Sequence, residues 1–194
     1  MPIIRHGAVN MTNACFTGHR IITGDIAALR ADMYDKLERA VKNGGITNFF
    51  AGGAVGFDTE AARTVLALRK VYPQITLNLV LPCCAEDQTL KWTEEQRKSY
   101  YDIRNKADSV EYTADRYYTG CMQKRNARLV ELADFCFCYW DGKRTGGTFQ
   151  TVTLAIKKHI DIWNFYDSRL INLYTHLNND FTYPLKGDFY FLDT

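Results

Sequence analysis

The sequence lacks the features of a membrane or secreted protein, and its charge is nearly balanced. No apolar run approaches the roughly 20 residues that a membrane helix requires, and no charged segment followed by an apolar one opens the chain. The 24 basic residues nearly cancel the 22 acidic residues, which gives no electrostatic argument for a nucleic-acid or membrane surface. We therefore expect a cytoplasmic protein with no membrane partner, for which nucleic acid is a disfavoured partner.

Metal-binding patterns are also missing. The chain has six cysteines and four histidines, but no pair of cysteines has zinc-finger spacing and the histidines are scattered. Cys15, Cys136 and Cys138 lie in apolar runs, which is typical of buried free thiols. We therefore predict no metal site and no resident cofactor.

What the sequence does contain is a regular alternation of strand-like and helix-like segments. Each apolar run that is typical of a buried strand is followed by a segment with apolar residues at helical spacing. This alternation predicts an α/β fold with a doubly wound, mainly parallel sheet and helices on both faces. The predicted strands cover residues 13–17, 46–51, 75–81, 109–112, 135–140 and 160–165, and the predicted helices cover residues 25–41, 58–70, 93–106, 121–133 and 148–158.

Residues 1–166 form this predicted domain, and residues 167–194 differ from it in composition. The second segment is rich in aromatic residues and carries Leu170, Leu173 and Tyr174 at helical spacing. A contiguous exposed patch of such side chains marks an interface. We therefore expect this C-terminal extension to pack on the domain or on a partner subunit.

Two glycine-rich turns lie where a predicted strand ends and a predicted helix begins. Glycine lets the backbone approach a phosphate closely, and the free N–H groups and positive dipole end of the helix face it. Two such turns at one edge of a parallel sheet predict a nucleotide-type small molecule as the ligand. The alternatives are glycines that only shape a tight turn and polar residues that only cap a helix. The candidate ligand-binding residues of these turns are Gly52, Gly53, Gly56, Asp58, Gly146, Gly147 and Thr148.

Three further groups of residues are expected at the same edge. An arginine beside two anion-binding turns pairs with phosphate, and an aromatic ring with a nearby amide can stack on a base and read its edge. A solvated arginine, an ion pair on a helix surface and a tryptophan packed in the core are the corresponding alternatives. The residues of these groups are Thr17, Gly18, His19 and Arg20 after the first strand, Arg125 and Asn126 on a helix, and Gln88 and Trp92.

These motifs form an ordered set along the chain. They are Thr17-Gly18-His19-Arg20, Gly52-Gly53-Ala54-x-Gly56-x-Asp58, Pro82 with Gln88 and Trp92, Arg125-Asn126, and Asp141-Gly142 with Gly146-Gly147-Thr148-x-x-Thr151. As a set they resemble the YpsA-like family of the SLOG superfamily, over roughly residues 13–165. The resemblance implies a Rossmann-like fold. The superfamily also includes the DNA-processing protein DprA and the Lonely Guy phosphoribohydrolases.

The Lonely Guy enzymes hydrolyse the N-glycosidic bond of nucleoside 5′-monophosphates, and the present sequence departs from their signature. Arg125 matches the arginine that those enzymes carry on a helix, but Thr151 stands where their loop has a glutamate. A hydroxyl cannot replace a carboxylate that stabilises positive charge on the ribose. The catalytic residues of any hydrolysis are therefore unknown, with Asp58 and Arg125 as the candidates.

The function that we favour from the sequence is binding of a nucleotide or a nucleotide-derived signal, such as an ADP-ribose-like molecule, for sensing or sequestration. A nucleotide N-glycosidase or phosphoribohydrolase is the alternative. Single-stranded DNA binding, as in DprA, is a further alternative that the balanced charge weakens. Relatives in the superfamily commonly dimerise, and this resemblance implies a homodimer.

Overall fold

Six strands form one fully parallel sheet in the computed structural model, which describes residues 12–177. Their spatial order is β4-β3-β2-β1-β5-β6. The chain adds strands to one side of β1 as far as β4 and then returns to the other side, so the strand order reverses between β1 and β5. The predicted doubly wound α/β fold is confirmed. The strands are β1 Asn13–Gly18, β2 Asn48–Ala51, β3 Thr76–Leu81, β4 Ser109–Tyr112, β5 Phe135–Tyr139 and β6 Asp161–Asn164.

Helices cover both faces of the sheet. Helices α1, α2 and α4 pack on one face, and α5 and α6 pack against each other on the opposite face. Helix α3 is a single turn, which is too short to show helical periodicity in the sequence. The helices are α1 Ile26–Lys42, α2 Phe57–Leu68, α3 Ala85–Gln88, α4 Glu94–Lys106, α5 Cys121–Leu132, α6 Gly146–Lys157 and α7 Arg169–Leu177.

The central strands are apolar on both sides because helices cover both faces of the sheet. On the face of α1 and α2, the ring of Phe16 stacks on Phe49 and on Phe137, with 5.9 Å between centroids in each pair. On the other face, Cys136 and Cys138 pack with α5 and α6. All six cysteines are free thiols, and five of them are buried.

The first part of the C-terminal extension packs on the sheet domain. Helix α7 contacts β6, and its Ile171 is buried in the cluster formed by α5 and α6. The ring of Tyr174 lies edge-on to Trp140, with centroids 5.6 Å apart. Residues 178–194 lie outside the described residues, so a contribution of the extension to a homodimer stays a prediction. Within residues 12–177, no helix is both long and apolar enough to span a membrane.

Candidate functional site

A cleft of about 530 Å³ opens at the carboxyl ends of β1 and β5, where the strand order reverses. Ligands of open α/β sheets bind at this kind of position. Four elements form the walls of the cleft, namely the end of β1 and the loop after it, the start of α2, one side of α5 and the first turns of α6. The lining residues are Phe16, Thr17, Gly18, His19, Arg20, Ala54, Asp58, Met122, Gln123, Arg125, Asn126, Leu129, Gly146, Gly147, Thr148 and Gln150.

The N-terminus of α6 forms one wall of the cleft. Gly146, Gly147 and Thr148 are the first three residues of this helix, and the preceding Thr145 makes no side-chain capping hydrogen bond. Gly146 has a φ of +86°, which glycine adopts without strain. The first N–H groups of a helix have no partner within the helix, and the macrodipole makes this end positive. This wall is therefore suited to an anionic group.

A buried ion pair forms another part of the cleft lining. The Nη1 atom of Arg125 is 3.5 Å from Oδ2 of Asp58, and the two residues are 8% and 5% exposed. The same Oδ2 accepts hydrogen bonds from the backbone N–H groups of Gly52 and Ala54, at 3.1 and 3.4 Å. Burial raises the pKa of the Asp58 carboxyl, and the charge of Arg125 opposes this shift. Burial likewise lowers the pKa of Arg125, and the charge of Asp58 opposes it.

The ion pair leaves two polar atoms without a partner. The buried Nε of Arg125 donates to no described residue. The three contacts of the Asp58 carboxylate all involve Oδ2, and within residues 12–177 no donor reaches its Oδ1. A buried donor without a partner costs free energy that a ligand can recover. Both side chains line the cleft.

The glycines of the first turn act mainly through the backbone that they allow. A Cβ at Gly52 would lie 1.4 Å from Nη1 of Arg125, so this glycine makes room for the buried guanidinium. Gly53 has a φ of +63°, and a Cβ there would lie 2.5 Å from the side chain of Leu81. Gly56 has a φ of +81°, and its Cβ would lie 2.3 Å from the carbonyl oxygen of Arg20. None of the three lines the cleft, although each shapes the turn that positions Asp58.

Polar contacts hold the loop after β1 against the start of α2 and against the segment that follows β5. The carbonyl of His19 accepts a hydrogen bond from the N–H of Phe57 at the start of α2. Nε2 of His19 lies 3.0 Å from Oδ1 of Asp141, which follows β5. Arg20 is exposed at the mouth of the cleft. The loop therefore joins the walls of the cleft and presents one cation to solvent.

The Asp141 carboxylate is a pH-dependent part of this loop contact. Its pKa is lowered to about 2, chiefly by a hydrogen bond from Lys143 and also by His19. A depressed pKa contributes stability that is present above the ordinary carboxyl pKa and is lost as the pH falls through the folded-state value. We expect the stability difference between the parent and Asp141→Asn to be constant above about pH 5, to shrink as the pH falls towards 2, and to vanish only below about pH 2. Urea unfolding at a series of pH values measures this difference, and a constant difference down to pH 2 contradicts it.

Gln88 and Trp92 do not lie at the cleft. The Gln88 amide donates to the carbonyl of Gly53 at 2.9 Å, and the ring of Trp92 lies edge-on to Tyr100 at 5.6 Å. Thr151 is also removed from the cleft, because it is fully buried and its hydroxyl donates to the carbonyl of Gly147 at 2.9 Å. Of the sequence candidates, those that the structure brings together at the cleft are Thr17, Gly18, His19, Arg20, Asp58, Arg125, Asn126, Gly146, Gly147 and Thr148.

Several lining residues were absent from the sequence candidates. Met122 and Gln123 lie one turn before Arg125 and Asn126 on α5, and Gln150 lies one turn after Gly147 on α6. Gln150 accepts a hydrogen bond from the Asn126 amide at 3.2 Å, which joins the two helices. Helical spacing from the residues already singled out is the signal that points to them. Within residues 12–177, no group of three or more metal-ligating side chains is arranged to hold a metal ion.

The fold and the cleft together define a Rossmann-like α/β domain with a ligand cleft at its topological switch point. The family model that matches is described as the YspA SLOG family (YpsA), and it covers residues 23–175. This match includes more than half of the chain, and the chain belongs to this family.

Several relatives are similar to this chain in sequence, and a solved structure is similar to it in fold. A UPF0398 protein of Halalkalibacterium halodurans is 32% identical over 129 residues, which is 66% of each chain. The SPbeta prophage-derived protein YoqJ of Bacillus subtilis is 26% identical over 132 residues, covering 61% of this chain and 75% of that protein. The X-ray structure of DNA processing protein A (DprA) from Streptococcus pneumoniae is similar in fold, with a TM-score of 0.56 and 13% identity. That match covers 86% of this chain and 56% of DprA, and the chain spans somewhat less than two thirds of the first relative.

Proposed function

We propose that the cleft binds a nucleotide or a nucleotide-derived signal, such as an ADP-ribose-like molecule, for sensing or sequestration. The observation that carries the proposal is the meeting of two features in one cleft. The uncapped N-terminus of α6 forms one part of the lining, and the buried Arg125 with its unpartnered Nε forms another. Both features favour a negatively charged ligand.

The proposed ligand is oriented by the polarity of these two parts of the lining. Its phosphate lies at the first N–H groups of α6, and the exposed guanidinium of Arg20 closes the mouth over it. A ribose hydroxyl donates to Oδ1 of Asp58, the carboxylate oxygen that no described residue occupies. This orientation uses Asp58 as a hydrogen-bond acceptor and requires no proton transfer by it.

Hydrolysis of the glycosidic bond is the second candidate, because Asp58 is the single carboxylate among the lining residues within the described part of the chain. Its Oδ2 is already held by two backbone N–H groups and by Arg125. Thr151, at the position that corresponds to the Lonely Guy glutamate, is a buried residue of α6 whose hydroxyl donates to the carbonyl of Gly147. We therefore propose binding without turnover.

Calorimetry with ADP-ribose and AMP tests the proposed site. We expect Arg20→Ala to weaken the binding of both at least about tenfold, because a charge-assisted hydrogen bond to phosphate is lost. The melting temperature should not change, since Arg20 is exposed. Arg144→Ala is the matched control, because Arg144 is an exposed arginine near the cleft whose guanidinium lies over Tyr174 and does not line the cleft.

Two results of these experiments would contradict the proposal. Equal affinity in the parent and in Arg20→Ala would remove this arginine from the site, and no binding of either ligand by the parent would overturn the proposed function. Chromatography of the same mixtures detects released adenine, which we do not expect. Tight binding of a single-stranded oligonucleotide with a steep salt dependence would instead favour the DNA-binding alternative.

A further inference from the structure

The side chain of Asn126 joins α5 to α6 in the cleft, and hydrogen bonds fix its orientation. Its Nδ2 atom donates to the carbonyl of Gly147 at 3.3 Å and to Oε1 of Gln150 at 3.2 Å. The carbonyl of Gly147 can only accept, so Asn126 must turn its nitrogen towards α6. Gln150 must in turn present its oxygen to that nitrogen. The direction of both amide groups therefore follows from their partners.

This orientation leaves one acceptor and one donor unused. Within residues 12–177, Oδ1 of Asn126 accepts no hydrogen bond and Nε2 of Gln150 donates none. Asn126 is only 5% exposed and Gln150 is half-buried, yet neither unused atom is enclosed by the protein. Both residues line the cleft. The cleft therefore presents a free acceptor beside a free donor, and we call these two side chains the amide pair.

The amide pair is connected to both positions that the proposed function assigns to the ligand. Gln150 lies one turn after Gly147, and side chains on a helix lean towards its N-terminus, which is the end proposed for the phosphate. Asn126 directly follows Arg125, whose guanidinium contacts Asp58, the residue proposed for a ribose hydroxyl. The group that meets the amide pair should therefore belong to the part of the nucleotide next to the phosphate.

The chemistry of the amide pair selects among the groups of a nucleotide. A phosphate has acceptor oxygens only, so it can pair with Nε2 of Gln150 but not with Oδ1 of Asn126. The edge of a base offers both a donor and an acceptor, but the ribose separates the base from the phosphate. A hydroxyl donates one hydrogen bond and accepts others, and the ribose carries its hydroxyls close to the phosphate. A ribose hydroxyl therefore satisfies both atoms of the pair.

We propose that Asn126 and Gln150 recognise a ribose hydroxyl and make the cleft specific for ribonucleotides over deoxyribonucleotides. The hydroxyl donates to Oδ1 of Asn126 and accepts from Nε2 of Gln150, while its neighbour on the same ring donates to Asp58. This inference rests on the proposed function, and it adds that the ligand carries a free cis-diol. A nucleotide that lacks the hydroxyl leaves two polar atoms of the cleft without partners, which weakens its binding.

Calorimetry with AMP, 2′-deoxy-AMP and 3′-deoxy-AMP tests this recognition. We expect the parent to bind AMP at least about tenfold more tightly than either analogue, because each analogue loses one hydroxyl contact. Asn126→Ala removes the acceptor of the amide pair, and Gln150→Met removes the donor at nearly constant length. In each variant the preference for AMP over one analogue should disappear. The preference over the other analogue, whose missing hydroxyl contacts Asp58, should remain.

Gln74→Met is the matched control, because Gln74 is exposed and lies just before β3, at the opposite edge of the sheet. It should keep both preferences of the parent. Gln150→Met is the milder of the two test variants, since Gln150 is half-buried and Asn126 is buried. It decides the question if Asn126→Ala does not fold.

The outcomes separate this inference from the proposed function. Equal affinity of the parent for the three nucleotides overturns the recognition of the diol and leaves nucleotide binding intact. Preferences that survive unchanged in Gln150→Met also overturn it, since other residues must then contact the hydroxyls. Binding of ADP-ribose without binding of AMP overturns the inference alone, because the ribose next to a single phosphate is then not recognised. No binding of any of these compounds overturns both.

Discussion

Replacement of Gly52 by alanine is expected to abolish ligand binding and to lower the free energy of unfolding by about 3–5 kcal/mol. The added Cβ would lie 1.4 Å from Nη1 of Arg125 and 2.9 Å from Oδ2 of Asp58. Both side chains are buried and cannot move aside without separating the ion pair. A separated pair leaves two buried charges without their partners, which accounts for the size of the effect.

Urea unfolding and calorimetry with ADP-ribose measure the two consequences. Gly147→Ala is the matched control for stability, because it adds the same methyl group to a backbone without positive φ and places it 3.4 Å from the movable amide of Asn126. Its free energy of unfolding should differ from that of the parent by less than about 1 kcal/mol. A Gly52→Ala protein as stable as Gly147→Ala would show that the ion pair can relocate, contrary to the geometry described above.

Arg125→Met is expected to lower the free energy of unfolding by a similar amount, for a different reason. It removes the guanidinium and leaves the Asp58 carboxylate buried without a cation, at a cost of about 3–5 kcal/mol. Asp58→Asn combined with Arg125→Met removes both charges, so part of the lost stability should return. Ligand binding should remain absent in the double variant, because the donor to the ligand is still missing.

This combination separates a structural role from a binding role. A double-mutant cycle in urea gives the coupling free energy of the pair, and calorimetry on the same proteins gives the affinity. Additive losses of stability would mean that the two charges are not coupled. Unchanged affinity for ADP-ribose in Arg125→Met would contradict the proposed binding mode.

The fold could be predicted from the sequence because each segment carries its own signal. Continuous apolar runs indicate strands buried on both faces, and helical periodicity between them indicates the crossovers of a parallel sheet. Helix α3 could not be predicted, because a segment of four residues is too short to show helical periodicity. The placement of Gln88 and Trp92 depends on that turn, and it directs them towards Gly53 and Tyr100.

The part of the candidate site that could be predicted consists of the residues at the carboxyl ends of the strands. Residues at the carboxyl ends of β1 and β5 had to meet at one edge, whereas the role of each glycine depends on contacts distant in sequence. Spacing does not reveal that Gly52 faces Arg125 while Gly53 faces Leu81.

The ion pair between α2 and α5 also limits which substitutions this sequence can tolerate. Asp58 and Arg125 come from helices on opposite faces of the sheet and meet over its edge. A change at either position alone leaves a buried unpaired charge, so the first replacement is costly and the second compensates for it. Substitutions at Asp58 and Arg125 are therefore expected to be tolerated only together. Gly52 is constrained as well, since any larger residue at this position would occupy the space of the guanidinium.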